Sequence, residues 1–133
     1  MKKILIPIDG TKRSLKSIEL VKELYKPEDI SIMLLMVCED IISYVPDNDL
    51  SPARPEVVEK MNQAKELLSE FQLESAIVFG RAGEEILRCA KKEKIDMIIM
   101  TKSTKRGWVQ AIGSVTTYVV KYAPCMVMIA PEV

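Results

Sequence analysis

Two short stretches of the sequence combine residue types suited to holding a phosphorylated ligand. The first is IDGT, Ile8 to Thr11, in which Asp9 closes an apolar run and Gly10 follows it. A carboxylate at that place can accept hydrogen bonds from a ribose hydroxyl or an adenine amine, and it can equally well cap a following helix. The second is MTKSTKRGWVQAIGSV, Met100 to Val115, which ends in Gly113-Ser114 at the start of a helical pattern. The free N–H groups and dipole of a helix N-terminus favour an anion, although Gly-Ser before a helix is also ordinary capping. Thr101, Lys102, Ser103 and Thr104 precede that point, with Lys105 and Arg106 beside them. Their hydroxyls and charges could replace backbone amides at a phosphate, or they could form a solvated surface. Trp108, the sole tryptophan, could pack under this loop or shield a ligand.

Other chemistries lack their residues. The chain has no histidine, so a Ser-His-Asp or Cys-His nucleophile is impossible and a metal site is not expected. Neither GxxxxGK[ST] nor GxGxxG occurs, and DGT lacks the second aspartate of phosphatases that form a phosphoaspartate. No catalytic residue is assigned. Nineteen basic residues balance nineteen acidic ones, so no overall field recruits nucleic acid or an anionic membrane. Cys38, Cys89 and Cys125 are scattered and odd in number, which points to reduced thiols and a cytoplasmic protein. The opening MKKILIPIDG is cut by Pro7 and Asp9, short of a signal sequence. No stretch approaches the roughly 18 apolar residues of a membrane span.

The elements that must position these residues alternate five times over a chain long enough for one domain, residues 1–133. KILIPID, ISIMLLMV, SAIVFG, DMIIM and CMVMIA read as strands. Helical stripes lie between them: Leu15, Ile18, Val21 and Tyr25, capped by Thr11 or Ser14; Val57, Met61, Ala64, Leu68 and Phe71; Ile86, Cys89 and Ala90; and Val115, Val119 and Tyr122. Strands apolar on both faces and separated by helices predict an α/β fold, with one open parallel sheet covered on both sides. Pro7 conflicts with a central strand unless the ladder loosens there. The segment Cys38 to Glu56, with three prolines, reads as a long loop of the kind that forms lids or binding elements. In such a sheet, ligands bind beyond the strand C-termini where the winding reverses, and IDGT and the stretch before Gly113 converge there.

Nearly the whole chain resembles the universal stress protein family. KILIPIDGTKRSLKSIELV is similar to its opening strand, aspartate and helix, and ISIMLLMVCE to its second strand. GRAGEEILRCAKKEKIDMIIM and GSVTTYVVKYAPCMVMIAP resemble its later helices and strands, including the Ala-Pro-Cys corner. The resemblance implies a Rossmann-like five-stranded sheet of order 3-2-1-4-5 and a dimer joined through the fifth strands. Members that bind ATP carry G-x2-G-x9-G-[S/T], and this chain retains only Gly113-Ser114. The other glycines fall on Met100 and Ser103, or with a one-residue deletion on Thr101 and Thr104. Where such a position needs φ > 0, a side chain is expected to cost about 1–3 kcal/mol. Asp9 and Val37 stand where the family contacts base and ribose, so the adenosine half of the site is better kept than the phosphate half.

The fifth strand, Cys125 to Ala130, is an apolar edge with too few residues after it to cover it, which predicts a homodimer. The resulting expectation is a dimeric, ligand-responsive stress protein, non-catalytic, with weak or altered binding of ATP or AMP. The alternatives are an ATP-binding protein with slow hydrolysis and a nucleotide-free interaction scaffold.

Overall fold

The computed structural model describes residues 1–39, 55–102 and 113–131. Strand β1 (Lys2–Ile8) leads through a 3-10 turn (Arg13–Leu15) into helix α1 (Lys16–Leu24) and strand β2 (Ile30–Cys38). Helix α2 (Pro55–Leu67), strand β3 (Gln72–Phe79), helix α3 (Ala82–Lys92), strand β4 (Met97–Thr101), helix α4 (Ser114–Tyr122) and strand β5 (Met126–Ala130) follow. The strands form one parallel sheet of order β3-β2-β1-β4-β5, as the alternation and the resemblance lead one to expect.

Strand periodicity divides the core in two. Ile4, Ile6, Ile8, Ile32, Leu34 and Met36 point to one face, where they meet Ile18 and Val21 of α1 and Met61 and Ala64 of α2. Leu5, Met33 and Leu35 point to the other, against Ile86, Leu87 and Ala90 of α3 and Val119 of α4. Each fully buried side chain of this size contributes about 1.5–3 kcal/mol, so these two layers fix where the strand tips end.

Helices α1 and α2 are shorter than their apolar stripes. Leu15 lies in the 3-10 turn and Tyr25 follows α1, while Leu68 and Phe71 sit in turns after α2 yet remain buried. Neither Thr11 nor Ser14 caps α1 directly, because the 3-10 turn intervenes and Leu15 precedes the helix without a side-chain cap. Strand β3 begins earlier than SAIVFG, since its ladder with β2 starts at Ser31↔Gln72. Its polar start, Gln72 and Glu74, is exposed, as suits the edge of a sheet. Of the expected Cys38–Glu56 loop, Cys38 ends β2 and Pro55 and Glu56 open α2, with proline at a first-turn position that requires no N–H donor. Residues 40–54 lie outside the described residues.

Pro7 does sit inside β1. The β1–β2 ladder runs from Lys2↔Ile30 to Ile8↔Met36, whereas β1 and β4 pair only at Ile4↔Met97 and Leu5↔Ile98. The ladder is therefore short on the β4 side, where the strand order reverses, and a residue without an N–H lies just past its last pair.

Candidate functional site

A cavity of about 260 Å³ opens at this reversal, beyond the C-terminal ends of β1 and β4. Its apolar walls include Pro7, Ile8, Val37, Ile86, Met100 and Val115. Its polar lining comprises Asp9, Arg13, Ser14, Glu39 and Thr101, and Ala82 opens α3 beside them.

Asp9 ends β1 in a turn that Gly10 makes possible, at φ +84°. Its Oδ1 accepts the Thr11 N–H at 2.9 Å and the Thr11 hydroxyl at 2.6 Å, and its Oδ2 accepts Arg13 Nη2 at 2.9 Å. Burial disfavours the charged carboxylate, but the bonds from Thr11 and Ser14 and the charge of Arg13 outweigh it and hold Asp9 below the ordinary aspartate range. Asp9 thus braces the turn. Thr11 and Arg13 supply three hydrogen bonds to the carboxylate, which orient it at the mouth of the cavity. Across the cavity, Glu39 Oε1 accepts the Ala82 N–H at 2.8 Å, so a carboxylate from the end of β2 caps α3.

Thr101 lines the cavity, but its hydroxyl faces inward and is not presented to a phosphate. Its Oγ1 accepts the Ser17 N–H at 3.2 Å, lies 2.7 Å from Ser17 Oγ, and donates to the Ser14 carbonyl at 3.4 Å. No strain attaches to the side chain at Thr101 or Met100: among the described residues, Lys94 is the non-glycine at positive φ. The backbone cost expected for replacing a glycine there does not arise.

Lys102 uses its N–H on the Ala130 carbonyl at 2.8 Å, which extends the join to β5, and its side chain does not line the cavity. Gly113 caps α4 with extended backbone (φ −56°, ψ 157°), and its carbonyl accepts the Thr117 N–H at 3.0 Å. Ser114 borders an adjoining hollow of about 200 Å³ with Arg81, Gly83, Glu84, Val115 and Tyr118. Val115 lines both spaces. Ser103 and Thr104, with Lys105, Arg106 and Trp108, lie outside the described residues. The structure thus brings Asp9, Val37 and Thr101 together and sets Ser114 next door. Arg13, Glu39 and Ala82 escaped the motif reading; their signal is position, since each follows a strand at the same end of the sheet. Among the described residues, no group of three or more His, Cys, Asp or Glu is placed to hold a metal, and no helix is long and apolar enough to cross a membrane.

Residues 1–131 match the model of the universal stress protein family. Universal stress protein YxiE of Bacillus subtilis is 27% identical over 143 residues, covering 96% of this chain and 97% of its own. The solved structure of hypothetical protein MJ0577 is 29% identical with a TM-score of 0.81, over 98% of this chain and 95% of that one. An Arabidopsis thaliana universal stress protein family protein with AMP bound shares the fold at 19% identity, with a TM-score of 0.68 over 98% of this chain and 92% of that one.

Proposed function

The chain belongs to the universal stress protein family, and from that premise we propose that it is a cytoplasmic, dimeric, ligand-responsive stress protein that holds an adenine nucleotide without turning it over. The observation that carries this reading is the cavity at the β1/β4 reversal, where apolar walls surround an ionised, half-exposed Asp9. Val37 and Val115 offer apolar faces to a base, and the Asp9 carboxylate accepts from a ribose hydroxyl or an exocyclic amine. The family relative with AMP bound supports the ligand class.

The phosphate end is altered. Two carboxylates, Asp9 and Glu39, and one guanidinium, Arg13, line the described cavity, a balance that disfavours a polyphosphate. Its volume of about 260 Å³ also lies just below the ~300–1,000 Å³ usual for ligand sites. A nucleoside monophosphate fits both facts better than ATP. Both carboxylates are committed to bracing the chain, Asp9 to Thr11 and Arg13 and Glu39 to Ala82, which supports binding in preference to acid–base catalysis. The dimer reading rests on β5, which pairs with β4 on one side and forms the sheet edge on the other.

Freshly purified protein, denatured and chromatographed, tests the reading. Near-stoichiometric release of an adenine nucleotide supports it. No release, together with a melting temperature unmoved by AMP, ADP and ATP, contradicts it.

A further inference from the structure

The same site contains a device that holds its two walls in register. The β1–β4 ladder stops at Leu5↔Ile98, and continuing its register would set Ile8 opposite Thr101. Past Pro7, the two strand tips flank the cavity, and among the described residues a chain of hydroxyls joins them. Thr11 Oγ1 donates to Asp9 Oδ1 at 2.6 Å, and Ser14 Oγ donates to the Thr11 carbonyl at 2.8 Å. Thr101 Oγ1 donates to the Ser14 carbonyl at 3.4 Å and lies 2.7 Å from Ser17 Oγ on α1. Ser14, Ser17 and Thr101 are all buried, at 6%, 0% and 7% exposure, so water does not substitute for these bonds.

We propose that Thr101 is a positioning residue of the nucleotide site: its hydroxyl, held by Ser17 and Ser14, sets the tip of β4 against the turn that presents Asp9. This rests on the adenine-nucleotide reading above. The Thr101 hydroxyl is taken up by Ser14 and Ser17, so it acts on a ligand only through the spacing of the walls. The residue that stands near the family's first glycine position therefore does not replace the backbone amides of a phosphate cradle. It fixes the shape of the adenosine half.

The test is calorimetric titration with AMP of the wild type, Thr101→Val and Thr101→Ser, with amide exchange at Ser17 in the unliganded proteins. Valine keeps the shape of the wall and removes the hydroxyl; serine keeps the hydroxyl. The expected result is AMP affinity about tenfold lower in Thr101→Val, the size of one buried hydrogen bond, with recovery in Thr101→Ser. Ser17 amide exchange should be faster in Thr101→Val alone. If Thr101→Val does not fold, Ser17→Ala, which removes the partner hydroxyl, must weaken AMP in its place. Wild-type AMP affinity in a folded Thr101→Val or in Ser17→Ala would overturn the proposal, as would Thr101→Ser binding as poorly as Thr101→Val. A wild type that takes up no adenine nucleotide would overturn the underlying reading itself, and the positioning role with it.

Discussion

Arg13 Nη2 lies 2.9 Å from Asp9 Oδ2 across the turn at residues 10–12, so the carboxylate at the tip of β1 is ionised and oriented before any ligand arrives. Folding depresses its pKa, which sets the direction of its pH effect. The stabilisation is fully present above the unfolded aspartate value of 3.8 and is lost as pH falls towards the lower folded value. Asp9→Asn is therefore expected to cost stability at pH 6, about 1 kcal/mol because the side chain is 47% exposed and the pair is screened. Urea denaturation should show that difference shrinking below pH 4. A constant difference down to pH 2 would mean that the charge is not what braces the turn.

Glu39 donates no sequence motif, yet its carboxylate holds the Ala82 N–H at 2.8 Å. Glu39→Ala should remove a helix cap worth about 1 kcal/mol. For a chain of this length that corresponds to a fall in Tm of about 2–5 °C. An unchanged melting curve would place the capping bond outside the stability of α3.

Gly83 offers a test of sign. Alanine normally stabilises a helix by about 1 kcal/mol over glycine. A Cβ at Gly83, however, would lie 2.6 Å from Tyr118 Cδ1 on α4, and overpacking of this kind costs about 1–3 kcal/mol. Gly83→Ala is expected to destabilise the wild type but to stabilise a Tyr118→Ala background. The same sign in both backgrounds would show that the ring moves aside freely.

The chain weighs 15.0 kDa, so light scattering of the proposed dimer at micromolar concentration should give about twice that. Met126, 68% exposed at the start of β5, is a place where a charge opposes edge pairing. Met126→Lys should shift the population towards monomer. A monomeric wild type would remove the fifth-strand interface.

Much of the fold was legible because burial on both faces leaves a strong imprint: ISIMLLMV can hardly be anything but a covered strand. Element ends were less legible. Leu68 and Phe71 continue the apolar stripe of α2 although the helix ends at Leu67, since a turn can bury side chains as well as a helix can. At the candidate site, Asp9 was legible from its place after β1, and Val37 only through the resemblance to the family. The orientation of Thr101 was not, because a threonine near a ligand loop has the same letter whether its hydroxyl points out or in. Only Ser14 and Ser17, three and six residues after Thr11 and remote from Thr101 in sequence, decide that it points in. Glu39 was missed for a similar reason: its partner Ala82 is 43 residues away.

The central claim is that Asp9 contacts an adenine nucleotide in this cavity. Calorimetric titration of AMP into the wild type and Asp9→Ala, both shown to be folded, tests it most directly. Saturable binding to the wild type and a loss of about tenfold or more in Asp9→Ala is the expected result, the size of a charge-assisted hydrogen bond. Equal affinity in the two proteins would mean that Asp9 only braces its own turn and would contradict the account.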